Sequence, residues 1–215
     1  MDDRTRLVRA AGKAGVVAGV LTGVGGLAVQ VARPRSTVAA DMWSYPWPGA
    51  AFVAVTLLYA ALHVLAFASF WGFSVSALAG PGRAARTGHI LALTGTAVLV
   101  LAEVVSLFWI GRRNDETGPS ATAAVFGLGT LLTAVGFLVL GVRTVRAGLW
   151  YGWQRVTPLA LGIWTTVLMV LIVTPISALA IGVYGLCIAA LGLALVTAPI
   201  APPQPTSVVG PAAVS

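Results

Sequence analysis

The sequence predicts an all-α protein, a polytopic bundle of six transmembrane helices with both termini cytoplasmic. Three observations carry that prediction. The first is the run Pro158–Pro199, 42 residues without an Asp, Glu, Lys, Arg or His. As one helix it would be about 60 Å long, twice the thickness of a bilayer core of about 30 Å. It therefore crosses twice, turning near Thr174–Pro175. The second is composition: of 215 residues, 58% are hydrophobic and 9% charged, where soluble domains carry roughly 25% charge. The third is spacing, with four further apolar segments separated by short polar or basic stretches.

The chain opens on a basic head, residues 1–13, in which Arg4, Arg6, Arg9 and Lys13 outnumber Asp2 and Asp3. The first span covers about 14–32. It is longer and more Gly-rich than the core of a signal peptide, and Arg33 and Arg35 follow it directly, so it is read as retained. The loop that follows ends in DMWSYPWPG, where Trp43, Tyr45 and Trp47 alternate with prolines. Prolines stop a helix, and Trp and Tyr favour the headgroup level, so this loop is expected at the outer membrane surface. The second span, about 50–78, is rich in aromatics. A short basic turn holding Arg83 and Arg86 leads to the third, about 88–110.

GRRNDETGPS is the most polar stretch of the chain and reads as a loop before the fourth span, about 121–142. A basic segment with Trp150, Tyr151 and Trp153 follows, its aromatics again expected at the interface. The fifth and sixth spans cover about 158–173 and 176–198, and residues 199–215 form a Pro-rich tail expected to be disordered. With the N-terminus inside, the inner segments hold nine of the 13 basic residues and the outer loops four. That asymmetry is the basis for the orientation.

Helices in lipid associate through close packing and polar contacts, because hydrocarbon is no worse a solvent for Leu than another helix is. Gly15, Gly19 and Gly23 recur at intervals of four on one face of the first span. They predict a packing face toward another helix of the chain, a second copy or a partner membrane protein.

Ionisable side chains inside a membrane are costly and mark candidate sites. Glu103 in the third span and His63 in the second are the two found well inside predicted spans. Tyr59 lies one turn from His63 and Ser106 one turn from Glu103, each on the same helix face. The depth of each within its span sets Tyr59 nearly level with Glu103. These four residues form a candidate polar cluster, able to relay a proton, contact a cation or cross-link two helices. His89, beside Arg83 and Arg86, is expected at a headgroup-level surface.

Several chemistries are excluded. A net charge of +7 does not indicate nucleic-acid binding, because the basic residues are scattered among short segments. One cysteine, Cys187, allows neither an intramolecular disulfide nor a thiolate cluster. No HExxH, Walker, dinucleotide or GxSxG motif occurs. No catalytic residue, metal ligand or cofactor is assigned, and an intrinsic enzyme site is not expected.

The basic head, the Gly-rich first span, the aromatic DMWSYPWPG loop and the second span VTLLYAALHVLAF resemble the style of small Ala/Gly/Val-rich polytopic membrane proteins of high-GC actinobacteria. The resemblance implies a multi-pass protein of a bacterial plasma membrane with membrane lipids as partners, and no specific activity. The expected role is an accessory or scaffold protein, or a binder of an apolar or lipid-like ligand between helices. The alternatives are a small transporter or channel-like protein using Glu103 with His63, and a membrane enzyme acting on lipid or quinone.

Overall fold

The computed structural model describes residues 3–198. The tail expected to be disordered, 199–215, lies outside them. Six α-helices follow in order: α1 (Asp3–Ala32), α2 (Gly49–Ser76), α3 (Arg83–Ser106), α4 (Thr117–Ala147), α5 (Thr157–Leu171) and α6 (Ser177–Thr197). All six segments are long and apolar enough to cross a membrane, α5 together with the 3₁₀ turn Gly152–Val156 before it. Each helix packs on its neighbours in the chain, and α1 closes the series against α6 in the most extensive contact of the bundle. The result is a closed ring of alternating helices. One end carries the amino terminus, the α2–α3 turn and the α4–α5 connection; it is called the head end here and its opposite the far end.

Helix ends differ from the sequence expectation in an instructive way. The basic head does not stand apart from the first span, since α1 is already helical at Asp3. Arg4 explains this: its guanidinium donates to the carbonyls of Val75 (3.1 Å) and Ser76 (2.9 Å) at the close of α2. Those carbonyls lie among the last four of the helix, which have no intrahelical partner, so charged residues can continue the helix into the polar layer. α3 likewise starts at Arg83, five residues before the expected Gly88, and α4 takes in Arg143 and Arg146. The expected α5–α6 hairpin is a compact turn, in which Thr174 and Ser177 donate their amides to the carbonyls of Leu171 and Thr174.

The glycine face of α1 meets α6 of the same chain. A methyl group at Gly19 would lie 2.7 Å from Cα of Ala189; one at Gly185 would lie 2.6 Å from the carbonyl oxygen of Gly19; one at Gly192 would lie 2.6 Å from that of Gly12. Real Cβ contacts are not this short, so both backbones depend on hydrogen at these positions. Gly23 is the loosest of the three predicted positions, its nearest neighbour being a Leu186 methyl at 3.5 Å; Gly15 lies against Ser69 of α2 as well as Gly192, and Gly26 is about as tightly held as Gly19. The same device joins α3 to α4, where Gly95 faces Gly129 and Gly136 faces Ala92, and α4 to α5, where Gly162 faces Phe137 and Leu138.

Large side chains fill the ring toward the head end. Phe70 and Phe137 meet edge to face with centroids 4.5 Å apart, and Leu140, Leu161, Ile188, Leu191 and Leu195 are fully buried around them. Trp150 belongs to this core: it is 1% exposed and stacks on Phe73 at 5.6 Å. The turn after α4 folds Trp150 inward, and its neighbours Tyr151 and Trp153 remain exposed. At the far end the aromatic loop lies against the α3–α4 loop. Trp43 donates its amide to Arg112 and Asn114 donates its amide to Asp41, while the Arg113 guanidinium reaches Asp41 at 2.8 Å. Its hydrogen bond to Asp115 and the nearby charge of Asp41 hold the exposed Arg113 guanidinium above its ordinary pKa. Tyr45 donates to the Arg33 carbonyl, and Trp47 is half-buried in the same loop.

Replacing Gly19 by Leu should unseat α1 from α6 and lower the melting midpoint in detergent, by the equivalent of about 1–3 kcal/mol or more. Gly127→Ala, whose new methyl group would have nothing within 4 Å, should leave the midpoint unchanged. Equal melting of the two variants would remove the glycine contact from the account of stability.

Candidate functional site

α2 and α3 run antiparallel, and two contacts define their register. Phe73 meets the His89 ring at 5.4 Å near the head end, and Nδ1 of His63 lies 3.6 Å from Oε1 of Glu103 further along. Pairing residue 73 with 89 sets Arg86 level with Ser76, the last residue of α2, and leaves Arg83–Ala85, the first residues of α3, beyond its end. The same pairing sets Tyr59 level with Glu103, as the span positions imply, and His63, one turn nearer the head end, reaches Glu103 side chain to side chain.

The four predicted polar residues are thus only partly assembled. His63 and Glu103 are neighbours, their side chains 16% and 14% exposed, just beyond hydrogen-bonding distance. His63 Nδ1 is buried and has no hydrogen-bond partner among the described residues. Tyr59 turns toward α1, its hydroxyl seated where a Cβ on Gly25 would stand at 2.7 Å. Ser106 is buried, and its hydroxyl donates to the Ala102 carbonyl one turn back in α3 (2.8 Å). Thr96, Thr133, Thr144 and Thr165 bond the same way within their own helices, which satisfies a hydroxyl where water is absent. What remains is a carboxylate–imidazole pair joining the middle of α2 to the last turn of α3. A pair of this kind can lock two helices or carry a proton between them.

A second polar group lies at the head end. A cleft of about 350 Å³ opens between α2 and the overhanging turn of α3, lined by Ser74, Gly82, Arg86, His89, Ile90 and Leu93 among others. Ile90 is 54% exposed, so the cleft opens on the outside of the bundle. Among the described residues, Arg86 makes no ion pair, and no hydrogen bond occupies the side chain of Arg86, His89 or Ser74. A second cleft, of about 380 Å³, lies at the far end against Gln30, Arg33, Tyr45 and Pro175. Neither cleft reaches Glu103 or His63.

Sequence spacing singled out His89, Arg83 and Arg86 but not Ser74, which lies on α2 and joins them only through the interhelical register. Tyr184 and Ser69, whose buried hydroxyls have no hydrogen-bond partner, were also missed; a lone hydroxyl in an apolar run carries no positional signal. No group of three or more His, Cys, Asp or Glu is placed to hold a metal ion among the described residues. Cys187 is a free, half-buried thiol. Comparison of the chain with protein-family models, with curated proteins and with solved structures found no match.

The pair can be tested by a double-mutant cycle. His63→Leu and Glu103→Leu should each destabilise the protein, and the double variant should lose less than their sum. The expected coupling is about 1 kcal/mol, within the range of roughly 0.6–1.7 kcal/mol found for polar contacts between membrane helices. Asp115→Asn, on an exposed loop, should change stability by no more than about 0.5 kcal/mol. Strict additivity of the two Leu substitutions would mean that His63 and Glu103 act independently.

Proposed function

We propose that this protein is a non-enzymatic accessory protein of a bacterial plasma membrane, and that it holds an amphiphilic, lipid-like ligand in the head-end cleft between α2 and α3. The cleft carries the reading. Its apolar wall, Ile90 and Leu93, adjoins a polar mouth of Ser74, Arg86 and His89, and its volume falls in the range of small-ligand sites. An amphiphile lying along the bundle would place its chain and head against matching surfaces. The ring interior is filled with large side chains, which favours a ligand on the flank of the bundle over one passing through it.

The head end is assigned to the cytoplasm, with both termini inside. Nine of the 13 basic residues fall there, and basic loops are retained on the inner side. The glycine face of α1 is occupied by α6, so association with a second copy or a partner protein would use the apolar surface of α1 that carries Val20, Val24, Leu27 and Val31.

The second reading is a small transporter that uses Glu103 with His63. The intramembrane pair at 3.6 Å favours it, since such residues commonly line ion pathways. It requires water to reach Glu103.

One labelling experiment addresses both orientation and water access. In a Cys187→Ala background, intact cells expressing Asn114→Cys should react with a membrane-impermeant maleimide, and Gly82→Cys only after permeabilisation. Reversal of that pattern would invert the orientation. Glu103→Cys should stay unlabelled in either condition; its labelling would favour the transporter.

The ligand reading is tested with a phospholipid bearing a photoactivatable acyl chain, reconstituted with the full chain. Crosslinks should concentrate on residues 74–93. Crosslinks spread evenly over all six helices would overturn the cleft as a binding site.

A further inference from the structure

We propose that the head-end cleft selects an anionic phospholipid, with Arg86 and His89 holding its phosphate. The inference rests on the amphiphile reading above and names the ligand class for that same site.

The first support is charge. Arg86 is exposed and forms no ion pair among the described residues, and Arg83, one turn earlier on α3, is likewise exposed and unpaired. Among the described residues the acidic side chains are Asp3, Asp41, Glu103, Asp115 and Glu116, and none of these lines the cleft. Arg143, the other base near the turn, is already committed: its guanidinium donates to the Pro81 carbonyl at 2.7 Å and braces the Gly80–Gly82 segment. The unpaired guanidinium at the cleft mouth is that of Arg86, with Arg83 behind it and Arg143 adding its charge from beside Gly82.

The second support is geometry. The overhang of α3 carries Arg83 past the end of α2 and sets Arg86 level with its last residue, Ser76, where the headgroup layer begins. His89 sits one turn deeper. Its ring is held edge-on against Phe73, which is itself stacked on the buried Trp150. The imidazole is fixed in place while its nitrogens bond to no other group among the described residues, so one N–H is available to a phosphate oxygen. Ser74 offers a hydroxyl from the opposite helix. Below these polar groups, Ile90 and Leu93 continue into the hydrocarbon layer and give an acyl chain an apolar track. Basic pockets between membrane helices on the cytoplasmic side are suited to anionic headgroups. A zwitterionic lipid carries the same phosphate but also a cation of its own, which cancels the advantage of an unpaired arginine.

The test uses the full chain, purified in detergent and freed of lipid, titrated with phosphatidylglycerol or phosphatidylcholine and read by native mass spectrometry. The parent should bind phosphatidylglycerol more tightly. Arg86→Gln should weaken that lipid about fivefold, the usual effect of one arginine near an anionic surface, and leave phosphatidylcholine unchanged. Arg146→Gln, at an exposed position outside the cleft, should bind as the parent does. His89→Leu should also weaken phosphatidylglycerol, and Arg86→Lys should restore most of the loss in Arg86→Gln. Three results would overturn the proposal: equal affinity of the parent for both lipids, an equal loss in Arg146→Gln, or displacement of the lipid by inorganic phosphate alone. If selectivity fails while acyl crosslinks still map to residues 74–93, only the headgroup assignment falls. If the crosslinks also disperse, the amphiphile reading falls with it.

Discussion

The close backbone approach of α1 to α6 is the contact on which the rest of the bundle depends. In lipid, burying one leucine against another gains little over leaving it in hydrocarbon, so helices adhere where their atoms can approach most closely. Gly12, Gly19 and Gly26 on α1 and Gly185 and Gly192 on α6 allow backbone to lie on backbone. Without this contact the series α1 to α6 would be an open row. With it, the row becomes a ring, and the aromatic and aliphatic side chains of the head-end core have a closed space to fill. α6 has the largest buried share of the six spans, as expected of the helix that closes the ring.

Polar groups are handled by three distinct devices. Hydroxyls within the spans donate to carbonyls of their own helices. Arginines at the helix ends reach carbonyls that no helix satisfies: Arg4 bonds the terminal carbonyls of α2, and Arg33 the Pro175 carbonyl in the α5–α6 turn. Glu103 and His63 face each other across α2 and α3, which spares each the isolation that makes a lone intramembrane charge so costly. Arg86 and His89 fit none of these three patterns. Among the described residues their polar atoms bond to no protein group, and they meet the apolar wall of Ile90 and Leu93 in one cleft.

The legible and illegible parts of the site divide along physical lines. Glu103 and His63 stood out because an ionisable residue in an apolar run is conspicuous at any register. Their contact was less legible: span lengths set Tyr59 level with Glu103, and the register agrees, but the Tyr59 side chain turns toward α1 and it is His63, one turn away, that reaches the carboxyl group. Helix boundaries read from hydropathy stop at the first charged residues, yet Arg4 and Arg83 continue their helices into the polar layer. Trp150 is a further case: read from composition as an interfacial aromatic, it is packed on Phe73 by the turn after α4, a contact that no local pattern announced.

The sequence by itself determined that the chain forms six apolar helices, because an uncharged run too long to cross a bilayer once must cross it twice, and because backbone amides in lipid have to be satisfied within the helix. It also marked the glycine-rich face of α1, whose fourfold spacing is a local property of one helix. Tertiary structure alone decided what that face meets, which side chain reaches Glu103, and that Ser74, Arg86 and His89 share one cleft. Those outcomes depend on the rotation and sliding of one helix against another. Close packing and individual hydrogen bonds set these relations, and neither leaves a periodic signature in the chain.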